Sequence, residues 1–477
     1  MSGGTRPGTG IEFDLARVTI EMTSPFLVGS GEGDRLHDAV FVTDANGLPT
    51  IPGESLAGIL RHALADESDP ENDQRCRACF GFQEGDKGQA SRVAISFAQA
   101  HGADDRPVPF RGAKLVDDEV LRLLAAGVPR DHVRLGAHGA VDGRGKFDEL
   151  LVPAGSRFTF EIIVDAASPA RLDELLSVLS RPEVRLGAST RRGLGRFRIV
   201  RVAYRRFNLA RPEDFEQFAR LPVALEDGDG EVLEPHPVPT AGHSRRWVSG
   251  TLRLKATDTW LVGGTLPSGR ELVQQGDQKQ EWDRFPFVEG RIEWTGPENR
   301  PQEGRVVRPK NAPFVVPASA IKGALRHRTA FHARRLARVW LDPKSPAPAA
   351  PCPEETELFG EVKGEQEGRP GRVLVEDGIV PGDAPLAGFN HVCLDRFTQG
   401  PRDGLLFNEL AVLGGEFASR MEVCVHGLSD RAVSAFAAAL DDLCAGRLTL
   451  GAGRAHGHFQ GTVEWEDGGK WIKEQRP

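Results

Sequence analysis

At 477 residues the chain exceeds one typical domain, and with 39% hydrophobic and 27% charged residues it can build ordinary globular cores. No apolar run approaches a membrane span, and the opening Met1-Ser-Gly-Gly-Thr-Arg-Pro-Gly8 has no signal-peptide core. Six cysteines in so long a chain make no disulfide framework, which fits a reducing cytoplasm, and a net charge of −8 excludes a uniformly basic nucleic-acid binder.

Residues 11–23 alternate apolar and polar, the pattern of a strand. A glycine-rich loop runs from Pro25 to Asp38, a short strand from Ala39 to Thr43, and Asp44-Ala-Asn-Gly-Leu-Pro49 is a turn by composition. Ile51-Pro-Gly-Glu-Ser-Leu-Ala-Gly-Ile-Leu-Arg-His62 then reads as a strand end, a proline turn and a helix from Glu54 to about Ala65, opened by capping-type residues Glu54 and Ser55. Residues 66–92 are polar and irregular and hold Cys76-Arg-Ala-Cys79. Val93–Phe97 is a strand, 98–155 a long insertion, Arg157–Val164 a strand, Ala170–Ser180 a helix and Arg196–Arg206 a last strand. This β-α-β-β-α-β order is the split βαβ unit of an α+β, ferredoxin-like fold. Just before the last strand, Gly187-Ala-Ser-Thr-Arg-Arg-Gly-Leu-Gly195 is a loop suited to wrapping a phosphate backbone.

Residues 207–245, rich in Pro, Glu, Asp and Gly, form a linker, after which the pattern starts again. Trp247–Asp258 is a strand, and Leu261-Val-Gly-Gly264 echoes Leu27-Val-Gly-Ser30. Val316-Pro-Ala-Ser-Ala-Ile-Lys-Gly-Ala-Leu-Arg-His327 repeats the proline turn and helix without a gap. Leu358-Phe-Gly360 echoes Cys79-Phe-Gly81, then come strands at Val373–Glu376 and Glu416–His426, a helix at Ser429–Cys444, a second glycine loop at Leu450–Gly457 and a strand at His458–Trp465. The chain is thus a duplication: residues 1–206, the linker 207–245, and residues 246–477.

The charge is unevenly spread. Residues 185–206 hold eight arginines and no acid, and 321–340 hold six Lys/Arg, two His and no acid. Such strips are the footprint of a confined polyanion site. A helix start with bare amides followed by Arg is suited to phosphate, which singles out Ser55, Gly58 and Arg61 in the first copy and Lys322, Gly323 and Arg326 in the second. Arg191, Arg192, Arg196 and Arg454 join them from the glycine loops. Tight packing of the two helices on their sheets is the competing reading of Gly58 and Gly323.

Both halves, with Ile-Pro-Gly-x-Ser-Leu-x-Gly-x-Leu-Arg early and Leu-Gly-x-x-x-x-Arg-Gly-x-Gly-Arg-Phe late, resemble the RAMP superfamily, the RNA-binding backbone subunits of CRISPR effector complexes. The resemblance implies two fused, modified ferredoxin-like (RRM-like) domains of a type III complex, a bound guide RNA (crRNA), and a β-hairpin thumb from each domain that interrupts the guide–target duplex. The thumbs fall at His132–Phe147 and His391–Phe407, the second with an Asp395-Arg396 core. In target-cleaving members one Asp in the loop after the first strand cuts target RNA with a divalent metal, Mg²⁺ or Mn²⁺. The matching residue is Asp38. In the second half Asp283 is the choice over Asp277 and Glu303, and a non-cutting domain is the alternative. The family's zinc knuckle would place structural Zn²⁺ on Cys76 and Cys79 with help from His62 or His101, against an unmetallated thiol pair. Implied partners are target RNA, a large polymerase-like subunit, a small subunit and further RAMP subunits, in the cytoplasm. A purely structural subunit and a guide-processing endoribonuclease are the competing functions.

Overall fold

The computed structural model describes residues 11–65, 70–135, 141–225, 232–240, 242, 246–263, 274–275, 278–279, 282–297, 300–308, 312–340, 352–361, 368–451 and 456–473. The first half is built from β1 (Glu12–Met22), α1 (Gly53–Leu64), β2 (Val93–Ile95), β3 (Arg157–Asp165), α2 (Leu172–Leu179) and β4 (Phe197–Asn208). The second is built from β5 (Trp247–Ala256), α3 (Ala318–Ala337), β6 (Val373–Val375), β7 (Glu416–Cys424), α4 (Asp430–Cys444) and β8 (His458–Trp465). In each sheet the second core strand pairs with the third, the third with the first and the first with the fourth, all antiparallel. That is the expected ferredoxin-like arrangement, twice.

The helices cover one face of each sheet. Leu56 and Leu60 of α1 and Leu172, Leu175, Leu176 and Leu179 of α2 are buried over Val18, Ile20 and Phe160. Ile321, Leu325, Phe436 and Leu440 do the same in the second half. Asp14, on the helix-covered face with Ala16 and Val18, is buried, and although the alternation of β1 predicts a wet second face, so are Arg17 and Thr19 on it. Each has a partner: Tyr204 Oη donates to Asp14 at 2.7 Å, Arg17 Nε to Glu161 at 3.3 Å, and the Thr19 and Thr159 hydroxyls meet at 2.8 Å. Buried polar groups persist where they are so satisfied.

What covers that face is partly the linker. Residues 207–245 include a helix, Pro212–Arg220, whose Phe218 packs on Phe13 and Phe207, and a two-residue strand, Glu234–Pro235, on the free edge of β4. The rest comes from the second half, whose hairpin Arg291–Thr295/Glu303–Val307 lies against the first: Ile292 N donates to Ala154 O at 2.9 Å and Trp294 Nε1 to Gly155 O at 2.7 Å. Gly155 has φ +84°, and a Cβ there would stand 1.9 Å from Ile292 O, so only glycine allows this docking.

Three local expectations change. The helix caps are not Ser or Glu side chains: Pro52 and Pro317 occupy the N-cap positions, neither helix has an N-cap side-chain bond, and Asp377 Oδ1 accepts from Ala318 N at 2.7 Å. Residues 66–92 are not irregular throughout, because 70–80 form a helix followed by the hairpin Phe82–Glu84/Lys87–Gln89. Ala39–Thr43 is held by isolated bridges and not by a ladder.

Candidate functional site

The loop after β1 folds on its own side chain. Asp34 Oδ1 accepts from the backbone of Leu36 at 2.7 Å and of His37 at 2.6 Å, and these amides hold the Asp34 carboxyl below its ordinary pKa. The turn delivers Asp38, exposed, to the base of a hairpin formed by Val128–Leu135 and Val141–Leu151. There Asp38 N donates to Asp148 Oδ1 at 2.9 Å, and Asp148 N donates to Asp38 Oδ2 at 3.1 Å. Each residue thus clasps the other's backbone. The same clasp recurs in the second half, where Asp283 N donates to Asn408 Oδ1 at 2.8 Å and Asn408 N to Asp283 Oδ2 at 2.9 Å. Next in line, Leu150 N donates to Ala39 O and Leu410 N to Arg284 O, both at 2.9 Å. Asp283 therefore occupies the place of Asp38; Glu303 lies in the docking hairpin, and Asp277 lies outside the described residues.

On the other side of each hairpin base a second motif repeats. The His132 ring stacks on Phe147 at 4.9 Å, with Nε2 3.0 Å from Glu149 Oε2. The His391 ring stacks on Phe407 at 4.8 Å, with Nε2 3.0 Å from Glu409 Oε1. A guanidinium lies 4.8 Å over each phenylalanine, Arg192 in the first half and Arg284 in the second. Burial pushes the Glu149 carboxyl up, but His132, Arg192 and Ser189 outweigh it and hold it below its ordinary value. Glu149, Glu409 and Arg284 escaped the sequence reading, which had His132, Phe147, His391 and Phe407 only as thumb ends and Arg192 only as a phosphate contact. The signal was present in Phe147-Asp-Glu-Leu150 and Phe407-Asn-Glu-Leu410, at the final residue of each predicted thumb.

Both predicted thumbs are hairpins, the second formed by Leu386–Leu394 and Pro401–Leu413. Its exposed apolar side chains are Val392, Leu394, Phe397, Leu405 and Leu406, with Phe397 91% exposed, while Phe407 is tucked under His391. Asp395 closes the turn by accepting from Phe397 N at 3.0 Å and Thr398 N at 2.9 Å, leaving Arg396 exposed.

The basic strips are mostly spent inside the chain. Arg185 reaches Glu422 at 2.7 Å and Glu376 at 3.1 Å, Arg196 pairs with Glu376, Arg192 with Glu149 at 3.0 Å, Arg198 with Glu21 at 3.2 Å and Arg201 with Asp105 at 2.5 Å. Arg191 lies over Trp247 at 5.6 Å. In the second strip Arg326 pairs with Glu355 at 2.7 Å, and Arg328 and His332 pair with Asp442. The arginines have acids as partners from distant sequence, which a local reading of the strip cannot see. Ser55 is half-buried and Gly58, Arg61, His62 and His327 are exposed; apart from the adjoining backbone of its own helix, no described atom lies within 4 Å of a Cβ built on Gly58 or Gly323. Arg454 lies outside the described residues. Gly187 and Gly451, with φ +83° and +97°, cross so closely that a Cβ would stand 2.2 Å from Leu27 O and 2.3 Å from Leu261 O. The chain itself requires these two glycines.

Lys322 is buried, donating from Nζ to Arg191 O at 2.7 Å and Val373 O at 2.9 Å, at the joint between the halves. Burial first, then the nearby Arg191, Arg326 and Arg192, push its pKa down to about 7. Unfolding returns the amine to its ordinary, higher value, so between about pH 7 and pH 10 the unfolded chain binds a proton that the folded chain lacks. Stability should therefore rise with pH from about 7 towards 9, and the rise should shrink in Lys322→Met, measured by urea denaturation at a series of pH values.

Cys76 and Cys79 are both buried. Cys76 Sγ donates to Arg61 O at 3.3 Å, and burial pushes its thiol up. In the repeat Cys79 stands where Leu358 fills the second core, and Gly81 and Gly360 follow with φ +75° and +80°. Among the described residues no third His, Cys, Asp or Glu joins them in a metal-holding group; His101 is spent on Asp105 at 2.9 Å and Thr159 at 2.7 Å. The donor set does not fit tetrahedral zinc.

A search of protein-family models matches the RAMP superfamily over residues 19–198 and again over 253–459. The chain belongs to the RAMP superfamily. RAMP-superfamily membership makes it a CRISPR-associated RNA-binding subunit, and the paired matches fall on the two ferredoxin-like halves. No curated protein matches the chain. Among the described residues no helix is long and apolar enough to cross a membrane.

Proposed function

We propose that this tandem RAMP protein lines a guide RNA as two fused backbone subunits of a type III CRISPR complex and cuts guide-paired target RNA beside each thumb. The observation that carries the reading is the clasp: it fixes an exposed Asp, Asp38 or Asp283, to the base of a hairpin, and the second hairpin carries exposed apolar side chains at its tip. A hairpin pushed between base pairs unstacks a nucleotide at its base, which is where the carboxylate waits. Cleavage by the RNA's own 2′-oxygen needs that nucleotide turned so that attack is in line with the leaving 5′-oxygen. One oxygen of Asp38 is bonded to Asp148 N, and the residue is exposed. Two neighbouring carboxylates and a phosphate fit the small number of hard ligands that Mg²⁺ or Mn²⁺ takes from a protein. Bound there, the cation would stabilise charge on the phosphate.

Guide contact falls unequally on the two helix starts. Arg61 of α1 is exposed, and the first amides of α1 have no side-chain cap. At α3 Asp377 takes the first amide, Lys322 is buried and Arg326 is held by Glu355. The partners of this reading are crRNA, target RNA, the large polymerase-like and small subunits and further RAMP subunits.

The test is made in the assembled complex. Deleting 398–404 should leave guide binding intact and abolish or shift the cut beside the second thumb, and a 2′-deoxy nucleotide at each cut should block it, with 2′,3′-cyclic phosphate on the normal product. Loss of guide binding on deletion, or cutting past the deoxy nucleotide, would contradict the reading.

A further inference from the structure

The joint between the halves is ionic. Arg130 holds Asp377 and Glu289, while Arg185 and Arg196 hold Glu376. Because the halves are repeats, each side of this joint has a counterpart elsewhere in the chain, and the backbone identifies it. Phe389 stands opposite Glu409 as Arg130 stands opposite Glu149, so Phe389 takes the place of Arg130. Gly457 crosses Leu450 O as Gly195 crosses Leu186 O, which matches Arg185 with Thr449 and Arg196 with His458. On the other side, the bridge from Ile51 to Ala98 repeats the pairing of Val316 with Gly378, which matches Glu376 with Ser96 and Asp377 with Phe97. Of the three acids, Glu289 alone has an acidic counterpart, Asp44, and a local turn consumes it: Asp44 Oδ1 accepts from Asn46 N at 2.8 Å and from Leu48 N at 2.9 Å.

The two outward faces have thus lost the joint's ion pairs together. Phe97 is 45% exposed, with Phe110 edge-on at 6.4 Å, and Phe389 is half-buried beside the His456 ring at 5.5 Å. Phe97 set against Arg130, or Phe389 against Asp377, would bury a charge with no partner. Phe97 set against Phe389 buries apolar rings on both sides. We propose that a second copy of the chain docks end to end on the first, its Phe97 against the other's Phe389, and that the segregation of charge keeps this contact distinct from the joint inside each chain. The inference deepens the backbone part of the proposed function by naming a further subunit as this same chain, and rests on it only for the RNA that brings copies together. The first half has the tight turn 44–49 where the second carries its docking hairpin 291–307, so the contact between copies is smaller than the joint. It therefore gains most from an RNA that holds two copies side by side.

Sedimentation velocity of the full chain, alone and on polyuridylate long enough for several copies, tests the proposal. The unmodified chain should associate as its concentration rises, and the RNA should lower the concentration required. Phe97→Asp and Phe389→Arg should each weaken association at least about tenfold, since each sets a charge against an apolar ring. Mixing the two variants, or placing both substitutions in one chain, should restore it, because the new carboxylate and the new guanidinium then meet as Asp377 and Arg130 do inside the chain. Restoration also shows that each variant is folded. Association indifferent to these substitutions would overturn the proposal. So would chains that stay single at every concentration and bind the RNA as separate copies, a result that leaves guide binding intact and gives the two faces to another subunit. Association that responds to the substitutions in a chain that binds no RNA would uphold the contact and count against the guide reading instead.

Discussion

Asp38→Asn should abolish the cut beside the first thumb while guide and target still bind. The amide keeps the size of the carboxylate, and its oxygen can accept from Asp148 N as the carboxylate does now at 3.1 Å. What would be lost, on the proposed reading, is the charge that could hold a divalent cation beside the phosphate. Removing one well-placed electrostatic group from an active site typically costs 10²–10³ in rate, or about 3–4 kcal/mol of barrier. A first-cut rate within a few-fold of the unmodified protein, measured by single-turnover cleavage of end-labelled target, would move the chemistry elsewhere.

Arg130→Ala should loosen the joint between the halves. Arg130, at the root of the first thumb, donates to Glu289 Oε1 at 2.6 Å and Oε2 at 2.8 Å and to Asp377 Oδ2 at 2.7 Å. Its side chain is 4% exposed, and those of the acids 8% and 9%. Truncation strands two carboxylates away from water with no counter-charge, a loss of about 3–5 kcal/mol for a buried pair broken on one side. The unfolding midpoint in denaturant should fall accordingly. Neutralising all three positions, with Arg130→Met, Glu289→Gln and Asp377→Asn, should recover much of it, because no buried charge then lacks a partner and the Asn can still accept from Ala318 N. A single variant as stable as the unmodified chain would mean that the triad is not what holds the halves together.

The duplication was legible because it is written in short-range signals: the Leu-Val-Gly loops, the Ile-Pro and Val-Pro turns with their helices, and the Leu-Gly-Ala starts at 186 and 450 recur in order. The position of Asp283 was legible through Trp282-Asp-Arg-Phe-Pro-Phe-Val288 for the same reason. The fate of the arginines was not, since those with acid partners find them on other elements, as Arg185 finds Glu422, 237 residues away. Nor was the clasp, because the partner of Asp38 is 110 residues distant. Hidden for a related reason was the docking of hairpin 291–307: Gly155 looks like any loop glycine until Ile292 O is found where its Cβ would be.

The central claim is that one chain carries two separate cleavage sites, one at each clasp. Its most direct test is a sequencing gel of end-labelled target RNA cut by the complex containing Asp38→Asn, Asp283→Asn or both. The account predicts that each single variant loses one band and keeps the other, that the two lost bands differ, and that the double variant loses both. If either single variant loses both bands, or the double variant retains the full ladder, the clasped aspartates are not independent active sites and the account fails.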